Sequence, residues 1–582
     1  MRKSILVGLL AFIFISALAL SITWFYRASN LKKDIAASFA RVVVGDTKIT
    51  YDDITTSGFP FTMEVTIVKP HIVTDVTKFA EKISLEKTLK IERLPQWNED
   101  ITIDGDIKFS VNMFSNKFKI QVDGNAISKS NIGGKDIGSI TQPNGPTVCE
   151  LTTSNNSGLL GNLWNMRAWM SDMSSFLREL RSIDCISPPL TMTATASNAK
   201  AFTSGGIRLY VSRVPKGDIS DMRLYLTVKD SEATPAYDDI YGSYAQVLSP
   251  GGKFVSPATY GKQNIEFDST YSGTEDINNP NIKNLPLEIK VSRLYVSNAA
   301  YQLNGSLEIN NKYKDNIRDI NLGYKMELVG NDMLTNMLRS NMRDNISNIV
   351  SSPSAGATDS MEQSETRKRI ALIPPEKTDQ LINFMIPDFA RLGKITTAID
   401  LNYSGDDKLS AFQTNLGALE LSATPYGITA TGAGKKTGDA PLAGNLSIRC
   451  NNCMALVDNG ISYLKGLNEA LRLLSPNKIQ EFSISQETVD GIKDFLETLN
   501  PEGVDGNKDN LKFDIVNNGK TMSVNGKGLM EVAQIFGKTV APTLPKGAMQ
   551  PPAPGASGVN PTVPAPAVSQ PPAQTQIPKK RK

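Results

Sequence analysis

Polar and apolar residues alternate along most of this chain with a period of two. Ile101, Ile103, Ile107, Phe109 and Val111 fall on one side of an extended backbone, and Asp104, Lys108 and Ser110 fall on the other. After the turn residues Asn116 and Lys117, Phe118, Ile120 and Val122 repeat the pattern. Short strands are read at 48–51 and 62–68, and the alternation returns at 207–211, 222–228, 287–296, 301–309 and 320–328. It resumes at 395–403, 419–423, 428–431, 446–450 and 511–516. Such segments are half-buried antiparallel strands joined by hairpins. Their spacing has no fixed period, which argues against a solenoid of identical units.

Helical spacing interrupts the strands. Residues 27–44 carry Leu31, Ile35, Ala36, Phe39 and Val42 on one stripe. A second helix is expected at about 159–183, through Leu160, Leu163, Trp164, Met170, Met173, Leu177 and Leu180. Others are expected at 333–350, 378–392, 455–474, 488–499 and 530–536. The predicted fold class is α+β and β-rich: an N-terminal transmembrane helix, then large antiparallel sheets with a few packing helices. A sheet with one apolar face must cover it with a second sheet, with helices or with lipid. A curved sheet whose apolar side is concave forms a groove for acyl chains.

The first residues break the pattern. Met1-Arg2-Lys3 leads into an uncharged apolar run from Ile5 to Phe25. Roughly twenty residues at ~1.5 Å each match a bilayer core of ~30 Å. Ala17-Leu18-Ala19 also fits a signal-peptidase site, so cleavage and retention are both open. The length of the run favours a retained anchor, with Trp24 and Tyr26 as an interfacial aromatic belt and Arg27, Lys32 and Lys33 behind them. The expected location is a bacterial inner membrane, single-pass, with the bulk of the chain in the periplasm.

The expected organisation is an anchor at 1–26, a β-rich half at 27–350, a linker at 351–371, a second β/α half at 372–540 and a disordered tail at 541–582. The linker is rich in Ser, Ala and Gly, and the tail in Pro, Ala and Gln with a basic end at Lys579–Lys582. Such a tail has no core, and its charge is drawn to anionic surfaces. The net charge of +3 is spread without a basic stripe, which argues against a nucleic-acid reader.

The four cysteines suit an oxidising compartment. Cys149 and Cys185 are candidates for one disulfide. Cys450 and Cys453 form a C-x-x-C, open to a local disulfide, two packed thiols or a redox pair. A zinc site is disfavoured without a second pair. The single histidine, His71, is read as a surface residue at a strand end, which leaves no H-E-x-x-H and no spare triad. Gly432-Ala433-Gly434-Lys435-Lys436-Thr437 lacks the spacing of a phosphate loop and is read as a hairpin turn. Adjacent carboxylates at Asp52-Asp53, Asp238-Asp239 and Asp406-Asp407 point to opposite faces or to solvent. No catalytic, metal or cofactor-binding residue is assigned, and the chain is read as non-enzymatic.

Ser57-Gly58-Phe59-Pro60-Phe61, soon after the anchor, resembles the hallmark of an uncharacterised family of proteobacterial envelope proteins. Leu416-Gly417-Ala418-Leu419 and Gly444-Asn445-Leu446-Ser447-Ile448-Arg449-Cys450-Asn451 match that family's later order. Its layout is distantly similar to AsmA-like proteins, which implies a membrane-tethered β-body engaged with lipid. From the residues alone the motif reads as architectural, with Gly58 bending the chain and Phe59 and Phe61 pinning the first hairpin into the core. The expected function is binding or handling of lipid, or of an envelope partner, through an apolar sheet face. Expected partners are the membrane, then phospholipid or an envelope protein. The alternative is an envelope scaffold that recruits a partner through its Pro-rich basic tail.

Overall fold

The computed structural model describes residues 21–26, 28–30, 32–33, 36–37, 47–59, 62–77, 96–112, 116–132, 134–154, 179–248, 256–274, 285–314, 316–351, 374–406, 408–474 and 485–543. Most of the expected anchor, linker and tail, together with Pro60 and Phe61, lies outside these residues. No helix among the described residues is long and apolar enough to cross a membrane.

The chain runs up and down as one antiparallel meander. Its first passes are long strands, each bent once. β1 (Lys48–Thr50) continues into β2 (Asp53–Ser57), and β3 (Thr62–Val68) into β4 (His71–Asp75). β5 (Trp97–Ile103) continues into β6 (Asp106–Asn112), and β7 (Lys117–Val122) into β8 (Ala126–Ile132). β9 (Lys135–Pro143) continues into β10 (Thr147–Thr153), β11 (Leu180–Ser187) into β12 (Leu190–Ala194), and β13 (Ala199–Ser204) into β14 (Gly206–Lys216). β15 (Ile219–Ala233) closes the series and holds both sections in one strand.

The bends line up as a crease across the sheet. On one side β1, β4, β5, β8, β9, β12 and β13 pair in that order, and on the other β2, β3, β6, β7, β10, β11, β14 and β15. Hydrogen bonds continue through the crease: Lys69 N donates to Gly105 O at 2.9 Å, Asp104 N to Asn125 O at 3.0 Å, and Gly205 N to Lys229 O at 2.7 Å. The crease carries the residues that tolerate a sharp bend. Pro188 and Pro189 make one corner, and Lys69 and Asp230 have φ of 46° and 45°. At Gly105 and Gly124 the backbones meet so closely that a Cβ on Gly105 would stand 2.3 Å from Asp123 O.

Beyond the crease the meander continues on one side only. α1 (Pro235–Leu248) leads to β16 (Gln263–Gly273), β17 (Leu287–Ser297), β18 (Tyr301–Lys314) and β19 (Ile317–Gly330). Helices α2 (Asp332–Ser351), α3 (Pro375–Met385) and α4 (Phe389–Leu392) follow, then β20 (Lys394–Asp406), β21 (Phe412–Ala423), β22 (Tyr426–Lys436) and β23 (Ala443–Asn451). After α5 (Cys453–Leu474) and α6 (Gln486–Leu499), β24 (Leu511–Asn517) pairs with β23, then β25 (Met522–Val524), β26 (Lys527–Gly528) and α7 (Leu529–Thr539) follow, and a 3-10 turn at Ala541–Thr543, the first residues of the expected tail, ends the described fold. Hairpins turn at Asn198, Gly217 and Asn316 in the left-handed region, which Asn and Gly enter at least cost.

β20 pairs with β19 from Lys394 to Asp406, so one sheet runs through both expected halves. Two expectations change here. The expected helix to Ile183 ends otherwise: Leu180–Ser187 is strand β11, and 155–178 lies outside the described residues. A register shift between Thr152 and Thr153 lets Leu180 and Ile183, three apart, pack on the same cluster as Val111, Phe118 and Leu151. A β-bulge thus imitates helical spacing. The expected helix 378–392 splits into α3 and α4 at Pro387, which lacks the N–H a continuous helix requires.

Candidate functional site

The pairing register places apolar residues opposite one another across the whole sheet. One row reads Met63, Val111, Phe118, Leu151, Ile183, Val211, Leu224, Ser269, Val291, Leu307, Tyr324, Ile399, Leu419, Ala430, Ile448 and Phe513. Each residue faces the next on the neighbouring strand, and Ser269 is the one break in apolar character apart from the Tyr324 hydroxyl. Opposite residues in a sheet point to the same face, so the row is continuous. At ~4.8 Å between strands it spans about 70 Å.

A second row runs beside it through Val65, Phe109, Ile120, Cys149, Cys185, Leu209, Leu226 and Phe267. It continues through Leu294, Gly305, Met326, Thr397, Leu421, Ile428, Cys450 and Leu511. Bulges at Ser292 and Gly417 shift the strands without losing the face, because the residues on either side resume the same alignment.

The opposite face carries cross-strand ion pairs. Arg208 grips Asp184 with Nε and Nη2 at 3.0 and 2.8 Å, and Arg223 grips Asp268 with both distances at 3.0 Å. Arg293 pairs with Glu266, and Glu327 lies between Lys325 and Lys394. These partners hold the Glu327 carboxyl below the usual carboxylate range, the hydrogen bond from Lys394 first. One face is therefore built for water and the other is not.

Burial along the apolar face is uneven. Met63, Val65 and Ile67 are fully buried at the first end, beneath the N-terminal helical residues Trp24 and Ala28. Trp24 Nε1 donates to Thr62 O at 3.0 Å and fixes that cover on β3. At the last end Cys450 and Leu511 are buried with Cys453 and Met454 of α5, against Leu496 of α6. Ser485 caps α6 by accepting from Thr488 N at 3.1 Å. Between these covers Leu209, Val211, Met222, Leu224, Leu419 and Leu421 are 36–55% exposed. Among the described residues the apolar face is closed at both ends and open in the middle.

Other sequence-marked residues lie elsewhere or are occupied. Cys149 and Cys185 stand directly opposite each other in the second row and are bonded through their sulfurs. Cys450 and Cys453 are free and buried. The Cys450 thiol shares a hydrogen bond with the Cys453 sulfur, and that bond, with burial, pushes its pKa well above the ordinary thiol value. Such a pair is shielded from exchange partners. His71 Nε2 lies 2.7 Å from Asp100 Oδ1 and Nδ1 lies 3.5 Å from Thr50 Oγ1, with His71 and Asp100 more than a third exposed on an open strand surface. Gly432–Lys436 belongs to β22 itself, and the turn follows at Thr437–Ala440. Among the described residues no cluster of His, Cys, Asp and Glu is placed to hold a metal.

The Ser57-Gly58-Phe59 stretch forms the tip of the β2–β3 hairpin. Gly58 has φ of 96°, and a Cβ there would stand 2.7 Å from Thr62 O. Ser57 Oγ donates to Glu64 Oε1 at 3.2 Å. Phe59 is not pinned in the core: it is 47% exposed, edge-on to Trp24 and stacked on Phe25. Trp24, expected in an interfacial belt, is instead the buried member of this group. The alternation of single strands was visible in sequence, but the alignment of rows across strands depends on register, which the turns and bulges set. No family model, no curated protein and no solved structure matches this chain.

Proposed function

We propose that this protein is a non-enzymatic, membrane-anchored envelope protein that carries lipid acyl chains on the apolar face of its sheet. The observation that carries this reading is the pair of continuous apolar rows, half-exposed between two covered ends. Each methylene laid on such a surface gains ~0.8 kcal/mol relative to water. A lipid already in a bilayer gains little more by moving, because its chains are apolar-solvated there too. The balance suits reversible loading rather than tight capture. The rows offer few polar groups, so the surface selects for hydrocarbon and not for a head group. The ion-paired face keeps the sheet soluble on its other side.

Native mass spectrometry of the full chain after mild detergent extraction tests the reading. Co-purified phospholipid, displaced when Leu209, Val211, Leu224 and Leu421 are replaced by Thr, is the expected result. A protein that emerges empty from lipid-rich extracts on repeated preparation contradicts it.

A further inference from the structure

The first end of the sheet carries an aromatic group that its fold does not consume. Residues 21–26 are helical, and Ile22, Phe25 and Tyr26 are 62–67% exposed, while Trp24 in their midst is 4% exposed. The Trp24–Thr62 hydrogen bond and the packing of Trp24 on Ile54, Met63 and Val65 set the rotation of this helix. That rotation turns Phe25 outward, where its ring lies 6.0 Å from that of Phe59 with 16° between the planes. Phe59 comes from a different element, the hairpin tip shaped by Gly58. Two segments distant in sequence therefore present one exposed aromatic surface.

Position identifies what this surface meets. The uncharged run from Ile5 leads straight into Phe25, so whatever receives that run lies against this end of the sheet. Along a helix, exposed Lys32 and Lys33 follow Tyr26 by about 10 Å. Aromatic rings at one level with lysines just beyond them match the head-group layer of a bilayer, where rings sit among glycerol and carbonyl groups and ammonium groups reach phosphate. We propose that Phe25, Tyr26 and Phe59 form a collar that seats the first end of the sheet in the head-group layer. The collar sets the body against the membrane in one orientation, which a single flexible tether does not. The proposal rests on the membrane-anchored part of the proposed function, which makes a bilayer the neighbour, and it concerns a different surface from the apolar rows.

Photolabelling separates the two. The full chain is reconstituted in phosphatidylethanolamine–phosphatidylglycerol vesicles that contain phospholipid with a diazirine either at the head group or at the end of an acyl chain. Labelled peptides are then mapped by mass spectrometry. The collar predicts head-group-probe adducts at 22–26 and 57–59 at least tenfold above those at Leu409, an exposed apolar residue in the turn between β20 and β21. The Phe25→Ser/Phe59→Ser pair should lower this labelling several-fold, and Phe59→Leu, which keeps an apolar surface and the hairpin, should largely preserve it. Labelling at Phe59 no greater than at Leu409 in the unmodified protein overturns the collar. Acyl-probe adducts at Leu209, Leu224 and Leu421 report on the rows independently. Their presence without collar labelling removes only the collar, and collar labelling without them removes only the lipid-carrying reading.

Discussion

Val211 and Leu224 face each other across β14 and β15, and each is more than a third exposed although both stand in a continuous apolar row. In the same row Met63 has no exposed surface. The exposed pair and Met63 should respond differently to substitution. Val211→Thr with Leu224→Thr puts β-branched side chains, which suit strands, at both positions and should change stability by less than about 1 kcal/mol, as surface changes do. It should lower bound lipid in native mass spectra. Met63→Ala removes fully buried volume and should cost about 2–5 kcal/mol, read as faster hydrogen exchange in β2, β3 and β6.

Trp24 makes a second prediction. Trp24→Phe keeps most of the packing but removes the donor to Thr62 O, and should cost about 1–2 kcal/mol. Trp24→Ala also empties a site among Ile54, Met63 and Val65, and should cost about 3–5 kcal/mol. Hydrogen exchange of the β2–β3 hairpin reports both. Protection unchanged from the unmodified protein in both variants would mean that the N-terminal cover does not hold the first end closed.

The two cysteine pairs should separate in one alkylation experiment. Cys149 and Cys185 close a loop with a sequence separation of 36, so their bond restrains the unfolded chain by about 2–4 kcal/mol. Without reductant, iodoacetamide should leave the folded protein unmodified, because Cys450 and Cys453 are buried thiols. Denaturation should expose these two alone, and reductant should add the other two. Modification of four thiols without reductant would remove the disulfide.

The meander and most of its later strands were legible in the sequence because each strand there has one wet and one dry face. Met222 to Val228 and Ile395 to Tyr403 show the period of two and are strands. The creased region was harder. β12 and β13 are short and rich in Thr, Ala and Ser, with Leu190, Met192 and Phe202 as their large apolar residues, and their apolar side is completed by Ile240 and Tyr237 of α1. The crease was hidden because its Gly, Pro and Asp residues read as ordinary hairpin turns, while the structure uses them to bend strands that continue beyond. The candidate face was legible only strand by strand. Its continuity depends on the pairing of residues as far apart as Leu151 and Ile183, and no local pattern encodes that.

Crease geometry itself is testable. A methyl group at Gly105 would collide with the Asp123 carbonyl, so Gly105→Ala must push β5–β6 away from β7–β8 and should cost about 1–3 kcal/mol. Gly537 in α7 has open space where a Cβ would go. Gly537→Ala should stabilise by about 0.5–1 kcal/mol through helix propensity. Amide exchange at Asp104 and Lys69, which donate across the crease, distinguishes a local opening at Gly105 from global loss.

Stability at the closed end should depend on pH. Ser447 and Asp514 are opposite each other on β23 and β24, and Ser447 Oγ donates to Asp514 Oδ1 at 2.6 Å. This bond first, and Lys512 second, hold the Asp514 carboxyl below its usual value. A carboxylate with a lowered folded pKa adds stability above its unfolded pKa, and that stability is lost as pH falls through the folded one. Ser447→Ala should therefore raise the Asp514 pKa, measured by carboxyl-carbon NMR. At neutral pH it should cost about 0.5 kcal/mol, since solvent screens a half-exposed carboxylate. The difference between the two proteins should be constant above about pH 4 and shrink below it. A difference that instead grew on acidification would show that the hydroxyl does not favour the ionised form.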